Sequence, residues 1–359
     1  MKAKTFFIST IVSILVCFGA MAALLSLLSL EDPFFMLNGI GEDETAVFNN
    51  QRYEMAGLIR HQDYSVVVMG ASLAANCRAS WFTEALGKKT LKITFPDGWI
   101  TEFDTALRLA FRTHPGLDTV YFSLDPNILI RPDSQRTAEL PEYLYNANPL
   151  DDVEYLLDAD AYALALRAWM HRRSEAAVTL DEAYVWEGLY SFSRYSTLLT
   201  YRRPEVSDTV LPAGAYLKAA DENLDVVCRW AEEHPDTQFV IWFPPYSILY
   251  WDMMTREGSA EAIITSVEHA AERLMRYDNI AVHCFLHATN IITDLNNYTD
   301  YVHCSTPILS WMARNMMDGL WRFNEDNYKI RLDELRELAA AYDYESIFEG
   351  WPRETETNP

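Results

Sequence analysis

Five apolar runs, each about as long as one β-strand, constrain the fold of this chain more than any other feature. Most of them are continuous rather than alternating, which is typical of strands that are covered on both faces. They comprise residues 65–69, 90–95, 119–124, 238–243 and 279–284. A half-exposed antiparallel sheet would instead alternate apolar and polar side chains.

Amphipathic patterns of helical period lie between these runs. They predict helices over residues 48–61, 79–86, 100–112, 217–233 and 260–277. Gly87 stands where the second of these helices should stop. Strands that alternate with helices through short connections predict a three-layer α/β sandwich with a five-stranded parallel sheet.

Residues from about 130 to 215 interrupt this rhythm, because they contain no good strand run. Their patterns predict helices over residues 152–173 and 181–190 in a mostly helical insertion. Such an insertion would leave from the carboxyl edge of the sheet, where open α/β folds bind ligands. A lid over a site and a purely structural elaboration both remain open.

The C-terminal part of the chain predicts two more helices. One begins near Ser305-Thr306-Pro307, because serine caps helices and proline suits the first turn. The other covers about residues 332–342. We expect residues 48–345 to form the α/β domain with its insertion, and residues 346–359 to be a frayed tail.

The N-terminus carries a long apolar segment. Lys2 and Lys4 precede an uncharged run over residues 5–30, which Glu31 and Asp32 follow. As a helix this run would be roughly 39 Å long, enough to cross a bilayer. Because the run is longer than the core of a signal peptide, it predicts an uncleaved anchor over residues 1–30, followed by a linker over 31–47. The charges on either side predict that its N-terminus lies inside. A cleaved signal peptide is the alternative, since residues 20–22 resemble a cleavage site.

Composition excludes several classes of function. The chain has 29 Lys and Arg against 52 Asp and Glu, a formal charge of -23. This excess argues against a nucleic-acid partner and against electrostatic docking on anionic lipid. Its five cysteines form no Cys-x-x-Cys pair, and His283 and His287 lack an evident third ligand. The sequence therefore predicts neither a metal nor a cofactor.

The first apolar run leads into a serine. Residues 66–73 read Val-Val-Val-Met-Gly-Ala-Ser-Leu. Gly70 allows a sharp turn, so that Ser72 would stand at the start of the next helix, near unpaired backbone N–H groups. Such a serine can attack a carbonyl carbon, although serine also commonly serves only as a helix cap.

An acid and a base follow the last predicted strand. Asp300 and His303 are three residues apart, a spacing that one turn of helix would place on one side. His303 could accept the proton of Ser72 while Asp300 holds its imidazole. A surface ion pair is the simpler alternative.

These segments resemble the SGNH (GDSL-type) hydrolase superfamily. Gly70-Ala71-Ser72-Leu73 is similar to its Gly-Asp-Ser-Leu block, and Asp300-x-x-His303 matches its final block. The resemblance implies a flavodoxin-like sheet, with Ser72 as nucleophile, His303 as base and Asp300 as the residue that orients it. The layout looks closest to membrane-anchored bacterial proteins of surface-polysaccharide modification, such as relatives of alginate O-acetyltransferase and of teichoic-acid D-alanylation proteins.

The middle blocks of the superfamily are less well matched. Its glycine oxyanion donor would correspond to Gly98, and its asparagine donor falls near Asp125, with Asn127 as a substitute. Tyr246 and Ser247 belong to the segment 243–247 at the end of the fourth strand. They could contact substrate, or the segment could form only a rigid turn.

The resemblance implies an esterase or O-acyltransferase that acts on an acylated glycan or glycolipid, and it leaves open a membrane-bound acyl-transfer partner. Because Ala71 and Asp125 depart from the pattern, an inactive scaffold protein of an envelope polysaccharide assembly is the alternative.

Overall fold

The computed structural model describes residues 2–41, 44–137, 139–148, 150–171, 174 and 176–351. Its main sheet consists of five parallel strands, which are β2 Val66–Gly70, β3 Thr90–Thr94, β4 Thr119–Ser123, β6 Gln238–Phe243 and β7 Ile280–Cys284. Their order across the sheet is β3-β2-β4-β6-β7. When only these five strands are numbered along the chain, this order is 2-1-3-4-5, which is that of flavodoxin-like sheets. The predicted fold class is confirmed.

Helices flank the sheet and connect its strands. The longer ones are α1 Lys2–Glu31, α2 Gln51–His61, α4 Ala79–Leu86, α5 Ile100–Thr113, α9 Ala159–His171, α11 Leu217–Glu233, α12 Ile248–Arg256, α13 Ala260–Leu274, α15 Thr306–Met317 and α16 Tyr328–Ala341. The shorter ones are α3 Ser72–Ala75, α6 Pro126–Ile130, α7 Glu142–Tyr145, α8 Val153–Leu157, α10 Arg194–Thr200, α14 Thr289–Ile292 and α17 Tyr344–Ile347. A two-residue pair, β1 Thr45–Ala46 and β5 Val178–Thr179, is antiparallel.

The predicted strands agree with the observed ones to within one residue at each end. The helix ends also follow local signals. Gly87 adopts a left-handed conformation (φ 65°) and donates its N–H to the carbonyl of Thr83, which closes α4 as predicted. Ser305 precedes α15, and Pro307 lies in its first turn.

Two predictions for the insertion are wrong. The expected helix over 181–190 is a turn followed by the short 3₁₀ helix Glu187–Leu189. Tyr184 there has φ 62°, which a right-handed helix does not allow, and its hydroxyl donates to Glu54 at 2.6 Å. The expected helix over 152–173 is divided at Asp158, whose side chain accepts the N–H of Asp160 and so begins α9. Residues 172 and 173 lie outside the described residues.

The chain divides into two compact units by the contacts within it. The first unit comprises residues 1–120 and 136–185, and the second comprises residues 121–135 and 186–359. In the first unit, every residue of β2 is buried, and in the second every residue of β7 is buried. Burial on both faces of these strands explains why β2 is a continuous apolar run and why β7 is apolar except for His283.

Helix α1 contains the apolar leader. Residues Ala3–Glu31 are hydrophobic enough to cross a membrane and almost entirely exposed, which fits a signal anchor or a signal sequence. After α1, Asp32 accepts three backbone N–H groups, from Met36, Leu37 and Asn38. Part of the expected linker (residues 42–43) and part of the expected tail (residues 352–359) lie outside the described residues.

Candidate active site

Asp300 and His303 lie in a bend between β7 and α15, within the second unit. Asp300 Oδ2 is 2.7 Å from His303 Nδ1. Asp300 Oδ1 accepts the backbone N–H groups of Val302, at 2.7 Å, and of His303, at 2.8 Å. The two side chains therefore meet as predicted, but the aspartate itself closes the turn, and no turn of helix is involved.

The environment of Asp300 keeps this carboxylate ionised. Burial by itself would raise its pKa, but the hydrogen bond and the charge of His303, together with the two backbone N–H groups, outweigh burial and lower the pKa. An ionised carboxylate accepts the proton that His303 carries on Nδ1, so Nε2 is the basic nitrogen. The side chains of Asp300 and His303 are 29% and 25% exposed, so solvent and small molecules can reach the pair.

An aromatic side chain borders the imidazole. The ring of Trp186 meets that of His303 edge to face, with centroids 5.0 Å apart. The next residue, Glu187, accepts the N–H of Thr306 at the start of α15. Sequence reasoning missed Trp186, because the pattern assigned it to a helix of the insertion. The only signal was the aromatic-rich composition of that stretch.

The bend that carries the pair is tied to the end of β6. The hydroxyl of Ser247 donates to the carbonyl of Tyr301 at 2.8 Å, and that of Tyr298 donates to the carbonyl of Pro245 at 2.6 Å. Ser247 and Tyr246 are both almost completely buried. Substrate contact by these two residues stays a prediction. Their observed contacts hold the Asp300–His303 bend and Asp125 in place.

Asp125 follows β4 and lies in the same unit as His303. It is only 5% exposed, and its Oδ1 accepts the hydroxyl of Ser123 at 2.6 Å. Burial raises its pKa to about 6, while hydrogen bonds from Ser123 and Tyr246 and the charge of His303 act in the opposite direction. A carboxyl group with this pKa is partly protonated near pH 6, and only the protonated form can donate a hydrogen bond.

Gly98 and Asn127, the two other predicted oxyanion donors, differ in whether their N–H groups already have an acceptor. The N–H of Gly98 donates to the carbonyl of Phe95, which closes a turn with Asp97 at φ 51°. A Cβ at Gly98 would approach the ring of Phe103 to 2.5 Å, so close packing accounts for this glycine. Asn127 is exposed, and its Oδ1 faces the hydroxyl of Tyr250 at 3.4 Å, which leaves its Nδ2 as the donor group.

Ser72 lies in the first unit, at the first position of α3 directly after β2 and Ala71. It is partly exposed. The buried Lys92 on β3 donates from Nζ to the carbonyls of Ala75 and Cys77, at 2.8 and 2.9 Å, and so holds the end of α3. Burial lowers the pKa of Lys92 to about 8. Ser72 thus stands on a short, fixed segment, and its joint action with His303 stays a prediction.

The histidines considered as metal ligands are buried. His283 Nδ1 pairs with the carbonyl of Leu320 at 2.7 Å, and burial lowers the pKa of both His283 and His287 to about 4. In the part of the chain that the structure describes, no group of three or more His, Cys, Asp or Glu side chains could hold a metal ion. All five cysteines are free thiols, and each of them except Cys17 is buried.

No family model matches this chain, and no curated protein sequence matches it. The functional interpretation therefore depends on the site itself and on the resemblance of its two short motifs.

Proposed function

We propose that this protein is an extracytoplasmic serine esterase or O-acyltransferase of the SGNH type, acting on an acylated cell-surface glycan or glycolipid. The observation that carries the proposal is the Asp300–His303 pair. A carboxylate held on Nδ1 leaves Nε2 as a general base, which is the arrangement that activates a serine nucleophile.

Ser72 is the proposed nucleophile. It follows β2 at the carboxyl end, and His303 follows β7, another strand of the same parallel sheet. Loops at the carboxyl ends of such strands form the ligand-binding edge of open α/β folds. The bend at Ala71, directly before Ser72, and the partial exposure of Ser72 also support this role.

The reaction would proceed in two balanced steps. Ser72 Oγ attacks the acyl carbonyl carbon and transfers its proton to His303 Nε2, which gives that proton to the departing alcohol oxygen. The acyl group is then an ester of Ser72. In the second step water or a sugar hydroxyl attacks this ester, His303 takes the proton of the attacking group, and the proton returns to Ser72.

The reaction also needs a donor for the oxyanion of the tetrahedral intermediate. Among the predicted residues we favour Asn127, because its amide nitrogen can donate, whereas the N–H of Gly98 already binds Phe95. Asp125 would contribute only in its protonated form.

One alternative has specific support. The N–H of Gly98 is already bound to the carbonyl of Phe95, and Asp125 is an acid at the position where the superfamily has an asparagine. Both observations favour an inactive SGNH-like scaffold of an envelope polysaccharide assembly. In that function the Asp300–His303 pair would serve only to close its bend.

The proposed location is the outer face of the cytoplasmic membrane. Lys2 and Lys4 lie in the first turn of α1, before its uncharged run, and Glu31 and Asp32 follow that run, a distribution that favours the N-terminus inside. An uncleaved α1 would then be a single-pass anchor, and a transferase would receive its acyl group from a membrane-bound partner or from a lipid.

The test is labelling of the full-length chain with a fluorophosphonate probe. The wild-type protein should label, Ser72→Ala should not, and the exposed Ser191→Ala should label at the wild-type rate. Hydrolysis of small acetyl esters and deacetylation of acetylated glycans would follow the same order. A folded wild-type chain that neither labels nor turns over any acyl ester would refute the enzyme and favour the scaffold.

A further inference from the structure

The C-terminal end of α1 contacts the helices of the insertion. Helix α9 contacts α1, and Ala168 of α9 lines the same cavity as Leu30 and Glu31. From α8, the hydroxyl of Tyr155 donates to Asp32 Oδ1 at 2.8 Å. The point at which the chain leaves α1 is therefore bound to α8 and α9 and is not a free tether.

Exposed apolar side chains of the first unit are concentrated at this same place. Outside α1, the large apolar side chains that are exposed among its described residues all belong to the segment after Asp32 or to the region of α8 and α9. They are Leu37, Leu150, Val153, Leu157, Leu166, Trp169 and Met170. A soluble surface rarely gathers such side chains without a partner.

Helix α9 has two different faces. Ala161, Ala165 and Ala168 are buried, at a spacing that defines one side of a helix. Leu166 and Met170 are exposed and four residues apart, with Trp169 beside them. A helix with one face packed on the protein and a second apolar face containing tryptophan is suited to the boundary between water and lipid.

We propose that the α8–α9 face, defined as Leu150, Val153, Leu157, Leu166, Trp169 and Met170, lies in the outer interface of the bilayer that α1 spans. This inference uses the anchoring part of the proposed function and is independent of acyl transfer. It places the first unit against the membrane.

Continuity with α1 is what selects lipid over a soluble partner. Because α8 and α9 contact the end of a membrane-spanning helix, their exposed side chains stand next to the headgroups without further movement. Attraction to anionic lipid does not drive the contact, because the same stretch of chain carries the acidic residues 151, 152, 154, 158 and 160. Apolar burial drives the contact, and it should form in neutral bilayers.

The experiment uses the full-length chain in phosphatidylcholine vesicles. An environment-sensitive fluorophore is attached at Met170→Cys, or at Ile330→Cys as a control, each in a Cys17→Ser background. Met170 and Ile330 are matched, because both are apolar helical residues and both are 59% exposed. The wild-type chain labelled at Cys17, within α1, reports the anchor itself.

The Met170→Cys probe should emit at shorter wavelength than the Ile330→Cys probe, and nitroxide groups near the lipid headgroups should quench it selectively. If the Cys17 probe is quenched by nitroxide deep in the acyl chains but the Met170→Cys probe behaves like the control, the α8–α9 inference is wrong and the anchor stands. If the Cys17 probe is not quenched either, both are wrong. Neither result bears on fluorophosphonate labelling, so the two proposals fail separately.

Discussion

Replacing Asp300 separates two tasks that this side chain performs. One carboxylate oxygen closes the bend by accepting the N–H groups of Val302 and His303, and the other binds His303 Nδ1. Asparagine can keep the first task, because its amide oxygen accepts the same two N–H groups. It reverses the second, since its NH₂ group would face Nδ1 as a donor and force the imidazole proton onto Nε2.

The expected magnitudes follow from these contacts. Asp300→Asn should reduce the labelling rate of Ser72 by a factor on the order of 10³ to 10⁴, the usual effect of a wrong imidazole tautomer. Its free energy of unfolding should fall by less than about 1 kcal/mol, because the lost ion pair is partly exposed. Asp300→Ala leaves two N–H groups without their acceptor and should lose about 1–3 kcal/mol, reduced by partial access of water.

The assay combines fluorophosphonate labelling with thermal unfolding of the full-length chain in detergent. Two results would refute the reasoning. Equal destabilisation by asparagine and alanine would mean that Oδ1 does not hold the bend. Labelling of Asp300→Asn at the wild-type rate would mean that Asp300 does not set the imidazole tautomer.

Three further predictions concern stability. Gly98→Ala should cost about 1–3 kcal/mol, because its Cβ would overlap the Phe103 ring; an unchanged denaturation midpoint would contradict this packing. Arg203→Met should cost about 3–5 kcal/mol in urea unfolding, since it removes the positive charge and both guanidinium donors from the buried Asp252, which keeps the hydroxyl of Tyr201; a loss below about 1 kcal/mol would show that Asp252 does not need this charge. Burial raises the pKa of Glu54 from 4.5 to about 7, so stability should fall by roughly 3 kcal/mol as pH rises from 4.5 to 7. Glu54→Gln should remove that fall, and a pH profile identical to that of the wild type would contradict the assignment.

The sheet could be predicted from the sequence because its signal is local. A strand buried on both faces must be apolar at consecutive positions, whatever its neighbours are, and the run 66–69 shows this within four residues. Helix ends such as Gly87 are likewise determined by groups a few residues away. The residues of the Asp300–His303 pair could be named for a similar reason, since three residues of chain already limit their separation.

Tertiary contacts decided the rest. Glu54, 130 residues away along the chain, accepts the hydroxyl of Tyr184. The left-handed backbone of Tyr184 is incompatible with the helix predicted over residues 181–190. Ser247 contacts Tyr301, 54 residues away along the chain, and Trp186 contacts His303, about 117 residues away. No periodicity of the sequence predicts contacts at such separations. Local patterns record which side of an element is buried, whereas the partner that buries it, and the hydrogen bonds this makes possible, exist only once the chain is folded.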